Sequence, residues 1–229
     1  MILYLFDIDG TLLHAHGAGR EAFDAVLLEQ HGISGASAGI RYGGKTDPAI
    51  VDEIFAARMA RPATAAEHAA FLGAYLPALR ANLETGGVDV IEGVGFALAW
   101  LGTRPDVTLG VATGNVRAGA TAKLAACGLD AWFKGDHVGG YGCDSRVRGE
   151  LVGAAIARAR ERGEIREVIV VGDTIHDISA ARANGATIVA VTTGSDDAAA
   201  LASADIVLPS LRDLPAWHAA RFGDGPYGP

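Results

Sequence analysis

Short apolar runs that end in acidic or loop-forming residues recur along this chain, and they constrain its fold more than any other feature. Helical patterns separate the runs, and each run is short enough to be a strand buried on both faces. Such alternation is typical of a parallel sheet covered by helices on both sides. The sequence therefore predicts an α/β fold with a doubly wound parallel sheet. The predicted strands are residues 2–6, 107–112, 168–171, 187–191 and 205–208, with 132–138 as a weaker candidate.

The stretch between the first two predicted strands is far too long for an ordinary crossover, and it carries helical patterns. Gly32 is a typical helix stop, and Pro48 is typical of the first turn of a helix. Thr64 and Glu67 have the spacing of a capping box, which marks the start of a third helix. We therefore expect an inserted cap of three helices in series. The predicted domains are an α/β core of residues 1–15 and 88–229 and a helical cap of residues 16–87, with linkers near residues 17–19 and 84–90.

Composition excludes several classes of protein. Half of the 229 residues are hydrophobic, which is enough to bury a core without disulfide bonds or a structural metal. The 19 basic residues are scattered and outnumbered by 27 acidic ones, so the net charge of −8 offers no footprint for a nucleic acid. Cys127 and Cys143 lack metal-binding spacing, which indicates reduced thiols.

The first apolar run does not have the form of a targeting segment. It ends at Asp7, with no basic region before it and no small-residue cleavage site after it. No stretch approaches the roughly 20 apolar residues that a spanning helix needs. We expect a soluble, cytoplasmic protein with no signal peptide and no membrane partner.

Two carboxylates follow the first predicted strand directly. In Asp7-Ile8-Asp9-Gly10-Thr11-Leu12, strand alternation sends Asp7 and Asp9 to one side and Ile8 to the core. The carboxyl end of a parallel sheet is where α/β proteins place their sites. Two acids this close repel and need a cation or a shared proton, and the alternative is a solvated turn that caps a helix.

The predicted strand at residues 168–171 leads into Gly172-Asp173-Thr174 in the same way, and Asp177 follows one helical turn later. Asp173 could instead cap the next helix, because Asp is a favoured cap residue. Acids that end two strands at the same sheet edge favour a metal site. Oxygen ligands in this number suit Mg²⁺, which also takes water and a phosphate oxygen.

A third polar segment, Thr113-Gly114-Asn115, follows the strand predicted at residues 107–112. Backbone N–H groups at a junction of strand and helix can bind an anion together with the Thr113 hydroxyl. A plain helix cap by Thr113 or Asn115 is the alternative.

These three segments, in this order, resemble the motifs of the haloacid dehalogenase superfamily, and in particular its phosphoglycolate-phosphatase-like members with an inserted helical cap. Asp7-Ile-Asp9-Gly-Thr-Leu resembles the first motif, Thr113-Gly-Asn115 the second and Gly172-Asp173-Thr-Ile-His-Asp177 the fourth. The resemblance extends to about Pro209, and it implies the Rossmann-like core of that superfamily.

The third motif of the family is a Lys or Arg ahead of the fourth strand, and here the chain departs from the common Lys-Pro pattern. Arg146 and Arg148 both stand at the start of the helix predicted over residues 147–162. We assign the motif to Arg148, which lies three residues before the core position Leu151, and Arg146 is the alternative. The interpretation without a function is a solvated arginine at a helix start.

The resemblance implies a role for each matched residue. Asp7 is the expected nucleophile, which forms an aspartyl-phosphate, and Asp9 is the expected general acid and base. Asp9 must then carry a proton when the substrate arrives. Arg148 would hold Asp7 ionised and bind phosphoryl oxygens. The expected Mg²⁺ ligands are the Asp7 carboxylate, the Asp9 backbone carbonyl and the Asp173 carboxylate, with Asp177 behind them or acting through water.

The segment Tyr42-Gly43-Gly44-Lys45-Thr46-Asp47 is the best candidate for a cap loop that reaches the site. Its glycines would let Lys45 approach an anionic substrate group, and a solvated lysine is the alternative. Thr113, Gly114, Asn115 and Lys45 are the expected substrate-binding residues.

The expected function is a Mg²⁺-dependent phosphomonoesterase that acts on a small phosphate ester such as phosphoglycolate or a sugar phosphate. An acid at Asp9 distinguishes the chain from dehalogenases and phosphonate hydrolases of the superfamily, which lack it. The alternatives are a phosphomutase of the β-phosphoglucomutase type and a non-catalytic binding protein with the same fold. The particular ester and the oligomeric state stay open.

Overall fold

The computed structural model describes residues 1–133 and 138–223. The strands are β1 (Ile2–Phe6), β2 (Leu13–His14), β3 (Asp89–Val90), β4 (Val107–Ala112), β5 (Gly139–Gly140), β6 (Glu167–Gly172), β7 (Thr187–Val191) and β8 (Ile206–Leu208). The helices are α1 (Ala18–His31), α2 (Asp47–Met59), α3 (Ala65–Gly86), α4 (Val94–Gly102), α5 (Arg117–Ala126), α6 (Arg148–Arg160), α7 (Ile175–Ala183) and α8 (Leu214–Phe222). Leu129–Phe133 and Leu211–Asp213 are short 3₁₀ helices.

Six of these strands form one parallel sheet in the order β5-β4-β1-β6-β7-β8. Side chains of β1 alternate between two buried clusters, because successive residues of a strand point to opposite faces. Tyr4 and Phe6 pack in a cluster with α4, α5 and α8, whereas Leu3 and Leu5 pack in a cluster with α6 and α7. The predicted parallel α/β fold is confirmed.

The edge strand β5 is where the strand prediction was wrong. Trp132 and Phe133, predicted as the start of a strand, belong to a 3₁₀ helix, and residues 134–137 lie outside the described part of the chain. The strand itself is Gly139–Gly140. A Cβ at Gly140 would overlap the Leu151 carbonyl oxygen of α6, so the close packing of this helix requires glycine. Glycine does not contribute to the apolar runs from which the strands were predicted.

The chain enters and leaves the inserted helices through one small antiparallel ribbon, β2–β3. Leu13 pairs with Val90 and His14 with Asp89. Helix α3 extends to Gly86, so the linker predicted over residues 84–90 is helical in its first three residues. The two chain segments that connect the sheet to the inserted helices are therefore hydrogen-bonded to each other.

Helices α1, α2 and α3 bury a hydrophobic cluster of their own. Phe23 of α1 makes edge-on contacts with Phe71 and Tyr75 of α3, at ring-centroid distances of 4.7 and 4.9 Å. Val116, just before α5, joins the same cluster and links it to the sheet. The division into a core and a cap domain stays a prediction, which this separate cluster supports.

Local sequence signals set the ends of the inserted helices. Gly32 ends α1 in the left-handed region, with φ of 68°. Thr46 caps α2, where Pro48 occupies the first turn. Thr64 and Glu67 form the reciprocal capping box at the start of α3. Within the described residues, no helix is both long and apolar enough to cross a membrane.

The capping box predicts a measurable contribution to stability. Thr64→Ala removes the side-chain acceptor of the Glu67 amide, and it should lower the free energy of unfolding by about 1 kcal/mol. Thr85→Ala, near the other end of the same helix, should have no destabilising effect, because its hydroxyl bonds only to carbonyls of the preceding turn. Urea unfolding of both variants makes the comparison, and equal losses would contradict the assignment.

Candidate active site

A cavity of about 450 Å³ opens at the carboxyl ends of β1, β4 and β6, between the sheet and the inserted helices. Parallel sheets place their sites at this edge, because the loops that follow neighbouring strands converge there. Side chains from the ends of three strands and from α5 and α6 line the floor of the cavity. They include Asp7, Asp9, Thr113, Lys123, Arg148 and Asp173.

Arg148 lies against two of the predicted acids. Its Nη2 atom is 2.9 Å from Asp7 Oδ2 and 2.7 Å from Asp177 Oδ1. Its Nε atom also donates to Asp177, at 3.0 Å. All three side chains are buried, and Leu151 and Val152 share the buried face of α6 with Arg148. Helix α6 therefore places this cation beneath the end of β1.

Arg146, the alternative third-motif residue, points to a different part of the molecule. Its guanidinium bonds to Asp52 of α2 at 2.7 Å and to His68 of α3 at 3.0 Å. The side chain is 55% exposed. Arg146 lies before the extended residue that precedes α6, whereas Arg148 is the first residue of the helix, and only Arg148 contacts Asp7.

Asp173, at the end of β6, is held by neutral donors. Thr11 Oγ1 donates to it at 3.1 Å and the Ser195 backbone N–H at 2.9 Å. A Cβ at Gly194 would overlap the Asp173 carboxylate, so only glycine allows this approach. Burial and the nearby charges of Asp7 and Asp177 raise the pKa of Asp173 to about 8.

Asp7, Asp173 and Asp177 each offer one carboxylate oxygen, and these oxygens lie within 4.8 Å of one another. Burial raises the pKa of Asp7 to about 6; Arg148 opposes this shift, while Asp177 and Asp9 add to it. With all three acids ionised, the single charge of Arg148 would leave two negative charges in the cluster. A divalent cation with oxygen ligands would balance them, so these residues fit Mg²⁺.

Asp9 is held on the other side by a different cation. Lys123 Nζ lies 2.7 Å from both Asp9 carboxylate oxygens and 2.7 Å from Asn115 Oδ1. Asn115 Nδ2 donates to Asp9 Oδ2, also at 2.7 Å. Burial opposes charge on Asp9, but Lys123 and Asn115 outweigh it and lower the pKa. This favours the carboxylate, whereas the expected acid role requires a proton on Asp9 when the substrate arrives.

The loop Thr113-Gly114-Asn115 serves as a docking point for the inserted segment. The Asp47 backbone N–H donates to the Gly114 carbonyl, and the Val116 N–H donates to Asp47 Oδ2, both at 2.8 Å. Asp47 thus caps the start of α5, while Thr46 caps α2. Burial raises the pKa of Asp47 to about 6, and Lys123 opposes that shift. A Cβ at Gly114 would overlap the Lys45 carbonyl oxygen.

Thr113 and Lys45, both predicted to bind substrate, line the cavity. Thr113 Oγ1 accepts from Asn115 Nδ2 at 2.9 Å, which leaves its own hydroxyl proton for another acceptor. The Lys45 ammonium pairs with Glu53 of α2. Lys45 must exchange that partner before it can bind a substrate anion.

Lys123 was not predicted from the sequence. It lies on the buried face of α5, together with Gly119, Ala120 and Leu124. A lysine at helical spacing among small and apolar residues is the signal that could have found it, because lysine is rarely buried without a partner. Thr11 and Ser195 were missed as well, and no spacing in the sequence links either to Asp173.

Comparisons with known proteins identify the family to which the chain is similar. A family model, haloacid dehalogenase-like hydrolase, matches residues 3–185. Validoxylamine A 7′-phosphate phosphatase from Streptomyces hygroscopicus subsp. limoneus is 30% identical over 221 residues, 92% of this chain and 94% of that protein.

Solved structures share the fold. A hydrolase from Pseudomonas syringae has a TM-score of 0.70 at 24% identity, over 98% of this chain and 100% of that chain. CbbY from Rhodobacter sphaeroides, in complex with phosphate, has a TM-score of 0.67 at 20% identity, over 93% of this chain and 95% of that chain.

Arg146, just before α6, and Arg148, its first residue, should differ in their effect on stability. Arg148→Met leaves Asp7 and Asp177 buried without their cation, and it should lower the free energy of unfolding by about 3 kcal/mol at pH 7. Arg146→Met should cost less than about 1 kcal/mol, because its ion pair is exposed.

The loss of unfolding free energy caused by Arg148→Met should also become smaller as the pH falls. Arg148 holds the pKa of Asp7 down, so its removal raises that pKa further and lets the buried Asp7 of the variant become neutral at a higher pH than in the wild type. Urea unfolding at pH 7 and pH 5 measures both effects. Equal losses for the two variants at pH 7 would contradict the placement of Arg148.

Proposed function

Since the chain belongs to the haloacid dehalogenase-like hydrolases, we propose that it is a Mg²⁺-dependent phosphatase that hydrolyses a small phosphate monoester through an aspartyl-phosphate on Asp7. The observation that carries this proposal is the separation of the two acids of the first motif. Asp7 is held by Arg148, and Asp9 by Lys123. Two neighbouring carboxylates bound to different cations can perform different steps of one reaction.

In the first step, an Asp7 carboxylate oxygen attacks phosphorus and the ester P–O bond breaks. Arg148 offsets the charge of Asp7 and of the phosphoryl oxygens that approach it. The Thr113 hydroxyl proton would bind a phosphoryl oxygen. The backbone N–H groups of Thr113, Asn115 and Val116 already donate to acceptors within the protein.

The leaving oxygen must take a proton, and Asp9 is the acid placed for this transfer. Its side chain keeps 44% of its surface open to the cavity, although it lies deep in the protein. Because its ion pair favours the charged form, Asp9 has to gain the proton as the substrate displaces part of that contact. In the second step, the Asp9 carboxylate takes a proton from the water that attacks the aspartyl-phosphate.

The carboxylates of Asp7 and Asp173 and the Asp9 backbone carbonyl would hold Mg²⁺, with Asp177 behind them. Asp177 suits this outer place because each of its oxygens accepts two hydrogen bonds, from Arg148 and from Thr174. Each Asp173 oxygen accepts only one, from a neutral donor. Bound Mg²⁺ supplies positive charge that lets an anionic nucleophile approach a phosphate.

The inserted helices would act as the cap that closes the cavity over the substrate. Residues 16–87 form this cap in our proposal, and residues 1–15 and 88–229 form the core. Lys45 would then bind an anionic or hydroxyl group of the substrate, after leaving Glu53. The unpaired thiols of Cys127 and Cys143 are compatible with a cytoplasmic enzyme.

The cavity volume favours a substrate of sugar size over phosphoglycolate. Cavities of roughly 300–1,000 Å³ suit ligands of drug size, so a two-carbon ester would leave most of this space to water. The relative named above acts on validoxylamine A 7′-phosphate, by its name. We therefore propose a sugar-like phosphate as the substrate class.

Replacement of the nucleophile is the first test of this function. Wild-type protein should release phosphate from a panel of esters only with Mg²⁺, and Asp7→Asn should lower kcat by at least about a thousandfold. Asp173→Asn should raise the Mg²⁺ concentration for half-maximal rate by about ten- to a hundredfold. Asp205→Asn, which alters an exposed ion pair with Arg182, is the control and should stay near wild type.

Two outcomes of that assay would redirect the proposal. No phosphate release from any ester would contradict a phosphatase. Turnover of a hexose phosphate only after a hexose bisphosphate is added would favour the phosphomutase.

The size of the substrate can be tested by filling the cavity. Gly19 of α1 lines it, and a Cβ there would be 3.6 Å from Tyr75 Oη. Gly19→Leu should lower kcat/KM for sugar phosphates at least about tenfold more than for phosphoglycolate. The smaller ester reports any effect transmitted through Lys123, whose Nζ would lie 3.8 Å from the new Cβ. Gly73→Leu, where α3 faces open space, is the matched control. Equal losses for both substrates would count against a sugar-sized ligand.

A further inference from the structure

Lys123 is a buried cation that the proposed chemistry does not yet use. Its side chain is 7% exposed, and it extends from α5 toward the floor of the cavity. A lysine buried to this degree is costly unless charged or polar partners satisfy it. Its partners are the two Asp9 oxygens and Asn115 Oδ1, each at 2.7 Å. These partners all belong to the Asp9 carboxylate and to its neighbour Asn115.

These contacts define one orientation of the Asp9 carboxylate. Lys123 spans both oxygens, and Asn115 Nδ2 binds Oδ2 from the loop after β4. Asn115 is fixed in turn, because its Nδ2 also donates to Thr113 Oγ1 at 2.9 Å. The Asp9 carboxylate therefore accepts from one side chain of α5 and from one side chain of the loop before α5. Nearly half of the surface of the Asp9 side chain stays open to the cavity.

The position of Lys123 also separates Asp9 from the metal-binding acids. Asp9 contributes no carboxylate oxygen to the cluster of Asp7, Asp173 and Asp177, although it is only two residues from Asp7. Arg148 lies on the side of that cluster. A carboxylate without its own cation could turn toward the metal site, so the lysine contact keeps Asp9 available for proton transfer.

We propose that Lys123 is a positioning residue that holds the Asp9 carboxylate toward the leaving group and, later, toward the attacking water. This inference rests on the proposed phosphatase function. Lys123 keeps its three protons in both steps. In the first step, protonated Asp9 gives its proton to the leaving oxygen as the Asp7–phosphorus bond forms and the ester bond breaks. In the second, Asp9 regains a proton from water as the new water–phosphorus bond forms and the Asp7–phosphorus bond breaks.

If Lys123 positions Asp9, the effect of its replacement on the rate should depend on the leaving group of the substrate. Lys123→Met should lower kcat for an alkyl phosphate such as glucose 6-phosphate by at least about tenfold, as part of the 10²–10⁴ that a general acid and base contributes. With p-nitrophenyl phosphate, whose leaving group needs no proton, the first turnover should stay within about threefold of wild type. Later turnovers should slow, because water activation still needs Asp9, so a burst of p-nitrophenol is expected.

A double-mutant cycle separates positioning from a structural role. Added to Asp9→Asn, the Lys123→Met change should lower the alkyl phosphate rate by less than about twofold, because residues that act through one group are not additive. Lys123→Arg keeps the charge and should recover part of the alkyl phosphate rate. Arg117→Met removes an exposed charge near the start of the same helix and is the matched control, expected within about twofold of wild type.

Each outcome decides between the two proposals. Two results with an active wild type would overturn the positioning role and leave the phosphatase intact. One is an equal effect of Lys123→Met on the p-nitrophenol burst and on the alkyl phosphate rate. The other is a double-mutant cycle in which the effects of Lys123→Met and Asp9→Asn are additive. A wild type that hydrolyses no ester would overturn the phosphatase and this role with it. Circular dichroism and thermal unfolding of every variant distinguish these results from misfolding.

Discussion

Charge held at the carboxyl edge of the sheet is the constraint on which the rest of this structure depends. Buried carboxylates are unfavourable unless cations or hydrogen bonds satisfy them. Arg148 from α6 and Lys123 from α5 each satisfy an acid of the β1 loop, whereas Asp173 is met by neutral donors. The two helices that flank the end of β1 thus both reach this edge: α6 presents Arg148 from its first turn, and α5 presents Lys123 from its second.

The inserted helices are tied to this edge through hydrogen bonds to the backbone of the segment between β4 and α5. Asp47 exchanges hydrogen bonds with Gly114 and Val116, and the Lys45 carbonyl fills the space above Gly114. The loop that would bind phosphate is therefore also the loop on which the inserted segment rests. Movement of those helices away from the sheet would break the contacts of Asp47 with Gly114 and Val116, so opening of the cavity and the state of that loop are coupled.

Much of the fold could be predicted, because apolar runs and caps are local signals. The five main strands and the starts of α2 and α3 follow from such patterns. Strand β5 could not be predicted, because it consists of Gly139 and Gly140, which allow close packing but do not form an apolar run. The acids of the site follow the strands directly and were predictable as a cluster. Lys123 was not, because its contact with Asp9 depends on how α5 packs after the chain has folded.

The ribbon β2–β3 has a consequence for how this architecture can diversify. Residues 14 and 89 are paired across it, so everything between them leaves the sheet and returns at a single point. A shorter or longer insert with adjacent ends could replace these helices without a change in any strand of the large sheet. If the inserted helices select the substrate, as we propose, that part of the molecule can be exchanged during evolution while the acids and cations at the edge of the sheet are inherited unchanged.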